Sequence, residues 1–147
     1  MLPGMFDLDR LESFAVRAIE DFAAAHPGEL FDGFAIDAAL LCLSLASDTE
    51  AGRAALEREG QCTHGALEAL RRETGDWTYQ GFAELGPDEG FDRDAYAAHY
   101  RLDDEAQKTS SYGRAMDALL ERLRARDAFA PLARTADFII VRVEHGY

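Results

Sequence analysis

Phe31 to Leu56 reads FDGFAIDAALLCLSLASDTEAGRAAL, two strands running into a capped helix. The first strand, Phe31 to Asp37, and the second, Leu40 to Ala46, are parted only by Ala38 and Ala39, which predicts an antiparallel hairpin. Side chains alternate across a strand, so Phe34 and Ile36 share one face, and Leu41, Leu43 and Leu45 share one face of the partner. Those faces call for a core. The opposite faces carry only Gly33, Ala35, Cys42, Ser44 and Ala46, so either a helix packs very close there or that side forms a shallow groove. At Ser47 the period changes: Ser47 and Glu50 have capping-box spacing, Asp48 is a second candidate cap, and Ala51, Ala54, Ala55 and Leu56 follow at helical spacing.

Outward from this stretch, Asp7 to His26 reads as a helix with the stripe Leu8, Leu11, Ala15, Ala18, Ile19 and Phe22, capped by Asp7 or Asp9 and ended by Pro27-Gly28. Thr63 is placed to cap a short helix through Ala66, Leu67, Ala69 and Leu70 that ends at Gly75. Trp77-Thr78-Tyr79 reads either as a short strand or as an aromatic plug over the core. From Leu85 to Glu105 a helical stripe of Phe91, Ala95, Ala98 and Leu102 is expected, with Tyr96 and Tyr100 on a neighbouring face. Ser111 to Arg126 is the clearest helix, with the stripe Tyr112, Ala115, Met116, Leu119, Leu120 and Leu123. Arg122, Arg124 and Arg126 stand at its C-terminal end, where the dipole favours cations. Ala136 to Glu144 reads as a strand, with Ile139, Val141 and Val143 on one side and Phe138, Ile140, Arg142 and Glu144 on the other. It is expected to join the hairpin, giving an α+β fold: an antiparallel sheet of at least three strands covered by helices.

At 147 residues and 48% hydrophobic content, the chain suits a single α+β domain over 1–147 that needs neither disulfide nor metal to hold a core. A net charge of -13 argues against nucleic acid and for a basic protein partner. The whole excess lies before Arg101, where 20 acids stand against 7 bases. Cys42 and Cys62 make a poor disulfide framework, so a cytoplasmic setting is expected. The N-terminal MLPGMFDLDRLESF carries no targeting pattern, and no apolar run is long enough for a membrane span.

The pieces FDGFAID, LLCLSLASDTEAG, GDWTYQGF and TADFIIVRVEHG, in this order around the helices, resemble the bacterial domain-of-unknown-function 4303 family across nearly the whole chain. The resemblance rests on a Phe-x-Ile strand, Thr49-Glu50 opening a helix, and Trp77-x-Tyr79. The Ala38-Ala39 turn is shorter than that pattern, and a second tryptophan is absent. The family has no established activity, so the resemblance implies no catalytic residue. Small acidic α+β families of this kind resemble immunity proteins that neutralise bacterial toxins, which implies a toxin as the basic partner.

No stretch carries a catalytic, cofactor or metal-binding motif. Cys62-Thr63-His64 is one pair without a second, and His64 lies two residues from Cys62 with no sign that it faces the thiol. Capping accounts for Asp48-Thr49-Glu50 without acid/base chemistry. Asp103-Asp104-Glu105 lacks the spacing and glycine of a calcium loop. The candidate partner-binding set is Asp88, Glu89, Asp92, Asp94, Asp103, Asp104 and Glu105 for steering, with Tyr96, Tyr100 and Trp77 as aromatic anchors. An enzyme with a pocket over the small-residue sheet face, or a housekeeping scaffold domain, are the alternatives.

Overall fold

The computed structural model describes residues 5–144; residues 1–4, and the His145 and Gly146 that close the last motif, lie outside them. The helices are α1 Leu8–Ala25, α2 Ala46–Arg58, α3 His64–Leu70, α4 Arg93–Tyr100, α5 Asp104–Gln107 and α6 Ser111–Ala125. The strands are β1 Phe31–Asp37, β2 Leu40–Leu45, β3 Tyr79–Glu84 and β4 Arg134–Val143. They form one sheet in the order β3-β2-β1-β4. The β1/β2 hairpin turns at Ala38-Ala39 and pairs in the expected register, with Phe34 opposite Leu43 and Ile36 opposite Leu41.

The sheet is mixed, which corrects the expectation of an antiparallel one. β4 runs parallel to β1, entering beside it through the Phe31 N–H donated to Ala133 O at 2.8 Å. Period-two alternation is the same beside a parallel or an antiparallel neighbour, so the pattern in β4 could not give its direction. Its two faces match the alternation: Phe138 and Ile140 join the main core, while Ile139, Val141 and Val143 lie on the other side.

The main core lies between that first sheet face and the helices α1 and α6. Leu11, Ala15 and Ile19 from α1 and Met116, Leu119 and Leu123 from α6 meet Phe34, Ile36, Leu41 and Leu43 there, all fully buried. Arg122 and Arg126 at the end of α6 do more than answer its dipole: they reach Asp9 at 2.8 Å and Glu12 at 2.7 Å, clamping α6 to α1. Asp7, not Asp9, caps α1 by accepting the Arg10 N–H at 3.2 Å.

The entry to α1 is fixed by one glycine. Gly90 sits at φ +96 and its carbonyl accepts the Asp7 N–H at 3.0 Å. A Cβ there would lie 2.7 Å from the Asp7 carbonyl oxygen, so both conformation and space exclude a side chain. Gly90→Ala is expected to cost about 2 kcal/mol, read from chemical denaturation. A loss below a few tenths would show that the junction relaxes freely.

The second sheet face is the small one. Ala35 and Cys42 are covered there by Trp77 beside Val141, and no residue of α2 or α3 belongs to that cluster, so the aromatic plug and not a close-packed helix covers them. Trp77 precedes β3 and is 4% exposed. Burial pushes the Cys42 thiol up to about 11, leaving it a small apolar filler.

Candidate functional site

The ten residues expected to bind a partner do not form one face. Asp92 is 9% exposed and caps α4, accepting the Ala95 N–H at 3.0 Å. A capping carboxylate held in this way is part of the fold rather than of a steering surface. Trp77 is buried on the far side of the sheet, and Tyr96 is half-buried with its ring 4.7 Å from that of Tyr112. Asp88 and Glu89 belong to a short 3-10 turn beside α1, where they line a groove with Arg10, Phe14 and Arg17.

What remains together is the run from Asp94 to Glu105. Asp94, Asp103, Asp104 and Glu105 are exposed, Tyr100 is 42% exposed and Leu102 is 41% exposed. Asp103 also caps α5 through the Ala106 N–H at 2.8 Å. The sequence stripe of Phe91, Ala95, Ala98 and Leu102 places Leu102 and Ala98 toward the core. It assumes one continuous helix, whereas α4 begins at Arg93 and ends at Tyr100. The buried face is therefore Ala95 and His99, at i and i+4, and Leu102 is left outside in the break before α5.

His99 anchors this run from beneath. Its ring is 1% exposed, with Nε2 3.0 Å from Glu144 Oε2 and Nδ1 2.6 Å from Ser110 Oγ. A carboxylate only accepts, so Nε2 donates to Glu144, and the Ser110 hydroxyl lies between Nδ1 and the Gln107 carbonyl, to which it donates at 3.2 Å. Ser110 in turn caps α6, accepting the Gly113 N–H at 2.9 Å. A serine, a histidine and an acid are thus in line, but the ring is enclosed and the hydroxyl is engaged as a helix cap. The chain joins α4, α6 and the end of β4.

Burial, and then the positive Arg142, hold the His99 pKa below its usual 6.5. The unfolded chain, with its histidine near 6.5, takes up the proton first, so this contribution to stability is complete above 6.5 and is lost as pH falls from there toward the lowered folded value. Denaturant midpoints across that window should therefore fall more steeply for the natural chain than for His99→Gln. Parallel curves would contradict the assignment.

A second constellation leaves almost no trace in the sequence. Nothing there marks Arg71, and Asp32 stands out only as one of two acids, with Asp37, in an otherwise apolar strand. Simple alternation would set Asp32 on the same face as Phe34. A bulge between Phe31 and Gly33 turns it instead to the α2 side, while Phe31 and Phe34 both keep the core. There Asp32, 5% exposed, accepts the hydroxyls of Thr49 and of Thr135, the latter at 2.7 Å, and faces Arg71 Nη2 at 3.3 Å. Arg71 also donates to the backbone carbonyls of Asp32 at 3.3 Å and Asp137 at 2.7 Å. One ion pair thus ties β1, β4 and the end of α3, with Thr49 adding α2.

Thr49 and Asp48 are accounted for more fully than by capping alone. Asp48 accepts the Leu45 N–H at 2.9 Å at the start of α2, and also the N–H and hydroxyl of Thr78 at 2.9 and 2.7 Å. The expected Ser47–Glu50 box does not form: Ser47 is exposed and Glu50 faces Arg53 at 3.7 Å. Cys62 and His64 are both exposed, and among the described residues no three His, Cys, Asp or Glu side chains are grouped to hold a metal. No helix among the described residues is long and apolar enough to cross a membrane.

Compared with known protein families, with curated proteins and with solved structures, the chain matches none of them.

Proposed function

We propose that this chain is a protein-binding module, an immunity-type inhibitor that neutralises a bacterial toxin in the cytoplasm by covering a basic surface. The observation that carries the reading is the exposure of Tyr100, the last residue of α4, and of Leu102, two residues on in the break before α5, in a stretch that also exposes Asp94, Asp103, Asp104 and Glu105. An exposed tyrosine and leucine framed by charge is the composition of an interface centre with a polar rim. Arg93, Arg101 and Lys108 stand in the same stretch, and Lys108 is paired with Glu105 at 3.1 Å, so the local acid excess is small. Long-range attraction of a basic partner therefore comes from the net charge of -13, and holding comes from Tyr100 and Leu102.

The test is co-purification from the native host with the neighbouring open reading frames co-expressed, and identification of the bound species by mass spectrometry. The expected result is a stoichiometric basic protein that is toxic when expressed alone and harmless beside this chain. Recovery of the bare chain, with full toxicity of every neighbour unaffected by it, would overturn the reading.

A further inference from the structure

α6 packs against α1 and against β4, at the opposite edge of the sheet from β3. On the β3 side of α1 a groove takes the place of a further helix. Three hollows of about 610, 400 and 460 Å3 meet end to end there, the first two sharing Asp9 and Arg10 and the last two sharing Phe14 and Arg17. The groove they form runs from Met5 and Pro87 to Phe22 and Phe82. Between Arg10 and Phe22 the helix rises about 18 Å, so a second helix could lie along it for about three turns.

The floor of the groove is apolar. α1 contributes Phe14, Ala18 and Phe22 at i, i+4 and i+8, all half-buried, and Phe82 of β3 stands with its ring 4.9 Å from that of Phe22. At the other end Met5 is 51% exposed, the most exposed large hydrophobic side chain among the described residues. Apolar surface continuous over this length and rimmed by charge marks an interaction site.

The charges along the rim do not balance. Asp7 lies 4.0 Å from Arg10, and Asp9 pairs with Arg122 at 2.8 Å. That leaves Asp21, Asp88 and Glu89 against Arg17, and none of these four makes an ion pair among the described residues. An occupant that answers them is basic. β3 is a poor template for an added strand, because it has six residues and Gly81, at φ +79, bends it where its register with β2 shifts. A helix needs no hydrogen bonds from a sheet edge and would continue the layer of α6 and α1. A second copy of the chain would bring another net charge of -13 to an acidic rim.

We propose that this groove docks a basic amphipathic helix of a protein partner, with its apolar stripe on Phe14, Ala18, Phe22 and Phe82 and its lysines or arginines against Asp21, Asp88 and Glu89. No residue of the α4–α5 break lines the groove, so the inference stands without the reading given above.

The probe is a labelled helical peptide with leucine on one face and lysine on the other, titrated at physiological salt and followed by fluorescence anisotropy. Saturable binding is expected, with none from the same residues ordered so that the leucines are dispersed, and none when glutamate replaces lysine. Asp21→Asn, Asp88→Asn and Glu89→Gln together should weaken binding about tenfold. Arg17→Glu, at an exposed position, should tighten it about threefold, a gain that a damaged fold could not produce. Glu57→Gln, Glu59→Gln and Glu68→Gln together remove as much charge from exposed positions on and beside α2 and α3, and should change binding by no more than about twofold. Absence of saturable binding, equal binding of the dispersed peptide, or an equal loss from the two triple variants would overturn the proposal. So would a dimer in sedimentation that the peptide dissociates, because the groove would then belong to a second copy.

Discussion

Asp32→Ala is expected to lower the unfolding free energy by about 3–5 kcal/mol, a large share of the stability of a domain of this size. The substitution removes little volume, so packing alone would predict a modest loss. The cost arises because Arg71, whose side chain is 10% exposed, would lose its buried carboxylate and keep only the exposed Asp137 at 3.7 Å. Thr49 and Thr135 would each lose the acceptor for a half-buried hydroxyl as well. Chemical denaturation measures the effect, and the double variant Asp32→Leu, Arg71→Met separates its causes. With no stranded charge left, the double variant should regain at least half of the loss. If the double variant is as unstable as the sum of the two single ones, the pair is not the unit that ties β1, β4 and α3.

The second large effect concerns the α4–α5 surface. Replacing both Tyr100 and Leu102 by alanine should speed dissociation of the partner by about 30-fold or more, equivalent to about 2 kcal/mol, with the association rate little changed. Neutralising Asp94, Asp104 and Glu105 with Asn, Asn and Gln should do the reverse. It should slow association and flatten its dependence on salt, with a smaller effect on dissociation. Asp103 is left intact because it caps α5, and Asp92 because it caps α4. Substituting either would confound a lost contact with a loosened helix. Both variants alter exposed side chains, so their thermal midpoints should match that of the natural chain.

The hairpin, the stripes of α1 and α6 and the two faces of β4 are legible because each is a long periodic pattern with one buried face, and burial enforces the period. Direction and irregularity are not. The parallel course of β4 leaves no mark on its alternation, and the bulge at Asp32 is a backbone event that reverses which side an acid faces without changing the sequence pattern around it. The surface suffers from the same limit. Charge is visible in sequence, but whether an acid caps a helix or stands free on its surface depends on where the helix starts: Asp92 caps α4, and Asp94, two residues on, is exposed in its first turn. Leu102 emerges only once α4 is seen to stop at Tyr100.

The measurement that bears most directly on the account is the dissociation rate of the co-purified partner from the natural chain and from the Tyr100→Ala, Leu102→Ala variant, at matched stability. Release from the variant should be faster by about 30-fold at a similar rate of association. Identical release from the two proteins would contradict it, because the partner would then be held somewhere other than the break between α4 and α5.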